Sequence, residues 1–409
     1  VTRVALLLAI LAGSVIGPAE GLERLPAILH VHSDLSTGDL PLERLTAMAE
    51  RQGVGALLLA ENYVLRVEYG LSPFRALTRV AREERAVLGR GVDHFLARVA
   101  RARAENPRVL IVPGVEVIPH YFWSGSPLAL DMTVHDLQKN LLVFGLPDAA
   151  ALRALPVAGN PAIGRYGWGS ALDALPCLLV VPGAYLLTRK RRSLHRIGRV
   201  AVVVRRRRWV AGGLLCGVAA LALARGWPFT LGPYSPYADA GLAPHQELID
   251  YVDRAGGVTV WSFPEARDAG ERWFGPVRVR WRTAPYADDL LRTSRYTAFG
   301  AVYEDTTRIE RPGGAWDRLL GQFASGDLSR AVWGVGESGF HELGVGKDLG
   351  TVRTVFLVED RSERAVLEAF KRGRLYAVQR EREAELVLAE FSARAGAVTA
   401  VSGDTLKIR

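Results

Sequence analysis

Two apolar segments, Ala174–Thr188 and Trp209–Ala224, bracket the run RKRRSLHRIGRVAVVVRRRR at Arg189–Arg208, which holds ten Arg or Lys and no acid. A water-soluble core has no use for so dense a charge between two such segments. A helical hairpin in a bilayer does, because apolar spans near the minimum length then carry their basic loop on the cytoplasmic side. Tyr166 and Trp168 precede the first segment and Trp227 and Phe229 follow the second, where an aromatic belt belongs. Residues 169–228 are therefore expected to form a transmembrane hairpin with a basic cytoplasmic loop at 189–208. For segments this short, a pair of buried core helices is the alternative.

The hairpin separates two soluble stretches, 21–168 and 229–380, with a further segment at 381–409. Both stretches then face the same extracytoplasmic side of the membrane, so one site can draw on both. The apolar run Val4–Gly17 follows a lone Arg3 and reads as a signal peptide or signal anchor over residues 1–20. The formal charge of the 409-residue chain is +9 and falls to −1 without the arginine run. No basic face is left for a nucleic acid. The two cysteines, Cys177 and Cys216, both lie in the apolar segments, which indicates neither a disulfide framework nor a cysteine metal site.

In the first stretch short apolar strands alternate with helical periodicity: AILHVHS, then LERLTAMAERQG, ALLLAEN, VDHFLARVARARAEN and RVLIVPGVEV. The second resumes with the helix PHQELIDYVDRAGG, the strands VTVWSFPE and TVRTVFLVE, and the capped helix SERAVLEAFKRGR. The fold class is α/β, with parallel strands and helices outside. EAELVLAEFSA is expected as strand in the final segment. In such folds functional side chains come from the C-terminal strand ends. His30 and His32 end the first strand at i and i+2, the spacing that puts two ligands of one metal on one face.

The stretch His30-Val-His32-Ser33-Asp34-Leu-Ser36-Thr-Gly38, the strand GVEV with Glu116, the strand GGVTVWSFPEA and the segment GESGFHELGVG with His341 occur in the order in which the PHP (polymerase and histidinol phosphatase) family carries its metal motifs. The chain resembles that family over about residues 25–145 and 240–380. The resemblance implies a distorted (β/α)7 barrel interrupted by the hairpin, up to three divalent metals at the strand ends, and hydrolysis of a small phosphoester. The metal ligands it implies are His30, His32, Glu61, Asn62, Glu116, Asn140 and His341, with His30, His32 and Glu116 holding the metal that activates water.

The departures from the pattern are specific. The family's Thr-Asp-His is Ala60-Glu61-Asn62 here, Asn140 stands where a histidine usually does, Phe263 replaces the histidine of Ala-His-Pro, and the closing Asp-x-His is Gly339-Phe340-His341. Glu61 still offers a carboxylate, and the asparagines offer carbonyl oxygens that suit hard cations better than zinc. Phe263 and Gly339 ligate nothing. One metal rather than three is expected, with Zn, Mn or Fe all compatible. Two readings stay open: a phosphoesterase with a reduced metal site, or a degenerate PHP domain kept as an envelope binding or sensing module. His120 and His135 are read as loop histidines, His94 and His195 as surface residues, and His245 as structural. Sequence leaves oligomeric state unread.

Overall fold

The computed structural model of the protein describes residues 22–206, 208–303, 307–343, 348–380, 387–396 and 398–404. The expected signal segment at 1–20 lies outside the described residues. In chain order the central strands are β1 (Glu23–Val31), β2 (Ala56–Leu59), β3 (Glu61–Asn62), β4 (Leu110–Val112), β5 (Gly114–Val117), β6 (Leu141–Phe144), β7 (Val258–Trp261), β8 (Ala298–Val302), β9 (Trp333–Gly336), β10 (Val352–Val358) and β11 (Leu375–Gln379). They form two sheets, ordered β11-β10-β1-β2-β4 and β9-β8-β7-β6-β5-β3. Segments 56–62 and 110–117 each contribute a strand to both sheets, breaking at Ala60 and Pro113. A parallel bridge between Val31 and Phe340 adds a further link.

The inner strands β2 (ALLL), β6 (LLVF) and β7 (VTVW) are buried at every position, as strands covered on both faces must be. The covering helices include α1 (Leu42–Arg51), α2 (Val92–Glu105), α3 (Ala243–Arg254) and α4 (Glu363–Arg372). Each is amphipathic and turns its apolar stripe to the sheets. Ser362 caps α4 by accepting the Ala365 amide at 3.1 Å, as the sequence predicts.

Strand direction departs from the all-parallel expectation. β6 runs antiparallel to both β5 and β7, and β10 is antiparallel to β1 and β11. For β6 the cause lies in the connection from β5, where the chain makes no helical crossover but an antiparallel pair, Phe122–Ser126 with Asp131–His135. Without a crossover the chain returns in the opposite direction. That pair joins the long hairpin Asp268–Phe274/Val277–Thr283 in a four-stranded sheet built from both halves of the chain. His135, read as a loop histidine, thus ends a strand, and His120 stands two residues before the other.

The apolar helices Trp168–Thr188 and Trp209–Gly226 have 21 and 18 residues and are long and apolar enough, by length and composition, to cross a bilayer. They lie side by side. A Cβ on Gly183 would meet Cys216 Sγ at 2.6 Å and the Gly212 carbonyl at 3.1 Å, so the close approach depends on small residues. Their outer faces are apolar and exposed, at 61% for Leu178, 65% for Val181, 77% for Val210 and 65% for Leu214. The arginine run between them is a β-hairpin rather than an irregular loop, Arg191–Ile197 pairing with Val200–Arg206. Toward the C-terminus, 387–391 is not strand; the strands are Ser392–Ala395 and Val398–Val401, paired with one another, and 381–386 lies outside the described residues.

Candidate metal centre

His30 stands near the C-terminal end of β1 with a left-handed backbone, φ +70°, at an irregularity in the β1–β2 pairing between Leu29 and Val31. A non-glycine residue takes that conformation at a cost and is held there by its surroundings. Its amide plane is fixed by Phe340, whose N–H donates to the His30 carbonyl at 3.1 Å, while the His32 N–H donates to the Phe340 carbonyl at 3.0 Å. The consequence is a meeting of rings. His30 Nε2 and His32 Nε2 are 3.1 Å apart. Glu116, from β5, places Oε1 3.4 Å from His30 Nε2 and Oε2 3.6 Å from His32 Nε2.

Ligand atoms of the three residues lie within 4.8 Å of one another and all three are buried. Four ligands at about 2.0–2.1 Å from a tetrahedral zinc are about 3.3 Å apart; the two Nε2 atoms stand 3.1 Å apart and each faces a different Glu116 oxygen, at 3.4 and 3.6 Å, a spacing close enough for the carboxylate to share an ion with both rings. Two imidazoles and a carboxylate with a fourth position open is also a ligand set of catalytic rather than structural zinc. The residues present therefore fit a divalent metal.

Sequence reasoning missed Glu337. This fully buried carboxylate places Oε2 3.0 Å from His30 Nδ1 and accepts a hydrogen bond from Ser262 Oγ at 2.8 Å. It sits two residues before Gly339, where the family pattern would place its aspartate. This part of the chain thus carries a carboxylate, and it lies behind His30. There it orients the ring and leaves Nε2 facing His32 and Glu116. The available signal was an acid at the end of the strand WGVG. Gly300 makes room for it, since a Cβ there would lie 2.3 Å from Glu337 Oε1.

The other expected ligands do not join the triad. Both oxygens of Glu61 are occupied, by the amide and hydroxyl of Ser33 and by the hydroxyl of Ser36. Burial pushes its carboxyl up to about 7 against those hydrogen bonds. Asn62 Nδ2 donates to Thr37 Oγ1 at 2.8 Å and lies 3.3 Å from His32 Nδ1, supporting the ring from behind. Asn140 Nδ2 donates to Glu116 Oε1 at 2.6 Å, while its buried Oδ1 has no hydrogen-bond partner among the described residues. His341 stacks flat on His32, with ring centres 3.9 Å apart and 13° between planes, and its Nδ1 is 3.1 Å from Thr37 Oγ1. Phe263 stacks on His30 at 4.9 Å.

Electrostatics mark the triad as a place for positive charge. Burial opposes charge on His30, yet the carboxylates of Glu116 and Glu337 outweigh it and hold the imidazole up at about 9. Burial would raise Glu116, but His30 and its neighbours bring it down to about 2. His32 is driven well below its usual value by burial, with His341 and His30 adding to the shift. Two carboxylates thus enclose two rings that cannot both be charged.

His120, His135 and His245 lie elsewhere. His120 Nε2 is 3.2 Å from the Ala238 carbonyl and His135 Nε2 is 2.8 Å from Ser124 Oγ. His245 is buried against Trp261, with ring centres 5.2 Å apart.

No protein-family model and no curated protein matches the chain. Among solved structures it is similar to a two-domain protein from Bacteroides vulgatus containing a predicted PHP-like metal-dependent phosphoesterase, with 13% identity and a TM-score of 0.39, covering 88% of this chain and 66% of that one. A candidate metal-dependent phosphoesterase from Bifidobacterium adolescentis matches at 16% identity and a TM-score of 0.34, over 86% of this chain and 97% of that one. An amidohydrolase from Chromobacterium violaceum, solved with sulfate and no metal, matches at 14% identity and a TM-score of 0.31, over 78% and 89% of the two chains. Likenesses this remote leave function to be argued from the site itself.

Proposed function

We propose that this protein is a membrane-anchored phosphoesterase of PHP type that works with one divalent metal held by His30, His32 and Glu116. The observation that carries the proposal is the convergence of two Nε2 atoms and a carboxylate on one point, with Glu337 fixing the Nδ1 side of His30. A bound divalent cation supplies Lewis-acid activation of water and charge for the phosphoryl oxygens. The chain's own residues do the rest. Glu337 and Ser262 hold His30 in one orientation, Asn140 holds Glu116, and partly exposed His341, stacked on His32, closes the solvent side of the site.

The fold reading goes with it: the two sheets, sharing segments 56–62 and 110–117 and linked at Val31 and Phe340, are taken as one distorted (β/α)7 barrel. The apolar outer faces of Trp168–Thr188 and Trp209–Gly226 support a bilayer-spanning pair, with both soluble halves extracytoplasmic. A second reading, a binding module without activity, is favoured by Phe263 lying against His30 and by the Asn140 amide donating to Glu116 where a second metal would need a ligand.

Elemental analysis of the detergent-purified protein separates the two. About one metal per chain, lost in His30→Ala together with Mn- or Zn-dependent hydrolysis of a phosphomonoester, is the expected result. No metal in either form leaves the binding module.

A further inference from the structure

A cavity of about 370 Å³ opens beside the apolar helices, at the end of the pair remote from the arginine run. Asp173, near the start of the first helix, and the segment from Arg225 to Tyr234, which ends the second, both line it. Its walls carry four guanidiniums, Arg66, Arg75, Arg79 and Arg225, against two carboxylates, Glu68 and Asp173. The acids are already spoken for. Glu68 accepts from Arg66 Nη2 at 2.8 Å and from Arg75, and Asp173 Oδ2 lies 3.7 Å from Arg75 Nη1. Arg79 comes no nearer to Glu68 than 4.0 Å. Arg225 donates to the carbonyls of Leu77 and Arg79 at 3.3 and 2.7 Å and, among the described residues, to no carboxylate. Arg66 also pairs with Glu83 at 3.3 Å and Arg79 Nη2 donates to the Arg225 carbonyl at 2.9 Å. Arg79 and Arg225 are therefore the two cations of the cavity that no carboxylate among the described residues meets more closely than 4.0 Å, and guanidinium is the side chain best suited to phosphate.

Its depth is set by the aromatic residues around it. Tyr166, Trp168 and Trp227, exposed at 73%, 90% and 72%, stand at this same end of the helices, as residues at the headgroup level of a bilayer do. Along the chain its wall is close to the metal centre: Pro119 is three residues beyond Glu116, so their Cα atoms are at most about 11 Å apart.

Resting on the membrane reading above, we infer that this cavity binds the phosphate of an anionic lipid headgroup, so that the ester offered to the metal centre is a membrane lipid. The full chain in detergent micelles is titrated with dioctanoyl phosphatidic acid, dioctanoyl phosphatidylcholine and inorganic phosphate, following intrinsic tryptophan fluorescence. Saturable binding of phosphatidic acid, at least tenfold tighter than of the other two, is expected, with a loss of tenfold or more in the double variant Arg79→Gln, Arg225→Gln. Arg225 also ties the helix end to the body, so Gly232→Phe serves as a second variant. Gly232 lines the cavity, and a Cβ there would meet no atom beyond the adjacent residues nearer than the Tyr234 carbonyl at 3.8 Å, so a side chain can be added at the wall. Equal binding of phosphatidylcholine or of inorganic phosphate, or undiminished binding in Gly232→Phe, overturns the inference. Carbonate extraction tests the premise separately. A chain that stays in the membrane yet ignores phosphatidic acid refutes the lipid site alone, whereas a chain released by carbonate refutes the membrane reading.

Discussion

At His30, side-chain chemistry and backbone geometry have to agree. The ring reaches His32 and Glu116 from a left-handed residue, and the carboxylate behind it, Glu337, keeps it there. Removing the charge while keeping the shape, in Glu337→Gln, is expected to weaken metal binding about 10- to 100-fold, as loss of a supporting carboxylate does elsewhere. Competition with a chelator measures this directly, and an unchanged affinity would mean that Glu337 is only filling space. His245 gives a prediction about pH. Burial, with Lys139 adding to it, lowers its imidazole from 6.5 to about 3. Between those values the unfolded chain binds a proton that the folded chain refuses, so stability is complete above pH 6.5 and drains away as pH falls toward 3. The slope from this one group is at most about 1.4 kcal/mol per pH unit. In denaturant titrations the stability of wild type relative to His245→Leu should fall as pH falls through this window; parallel profiles would assign the acid sensitivity to other groups.

Among the elements, the paired apolar helices make the sharpest claim. Gly183 and Gly212 let the two backbones approach until a Cβ on Gly183 would overlap Cys216 Sγ. Gly183→Leu should force them apart and cost about 1–3 kcal/mol, read as a lower thermal midpoint in detergent. Gly213→Leu, which has nothing within 4 Å of a built Cβ, is the control that should leave it unchanged. Element type was largely legible in the sequence because periodicity reports burial: ALLL, LLVF and VTVW form fully buried strands, and SERAVLEAFKRGR holds a capped helix. Direction was not, because the antiparallel run of β6 follows from the excursion at 122–135, whose residues look like loop until they find Val277–Thr283 from the other half of the chain. In the site, His30, His32 and Glu116 were readable as a motif, and the structure brings them together. Glu337 was not, since its role depends on the register that brings the end of β9 beside β1. Nor was the diversion of Glu61 to Ser33 and Ser36, a competition between hydroxyl donors and a cation that spacing does not reveal.

For the molecule as a whole, the arrangement of charge about the helical pair predicts an orientation. A reporter active only in the cytoplasm should give signal when fused after Gly198, in the turn of the basic β-hairpin, and none when fused after Gln379, at the end of β11. Silence at Gly198 would sink the membrane reading. Chain order has one more consequence, for how this protein is made. β6 finds its partner β7 only after roughly a hundred further residues, including both apolar helices, have been synthesised. At about 5–20 residues per second, the edge of β6 stands unpaired for on the order of ten seconds in every newborn chain. During that interval the nascent first half is a sticky sheet edge awaiting its other half, and it is the form a chaperone would have to shield.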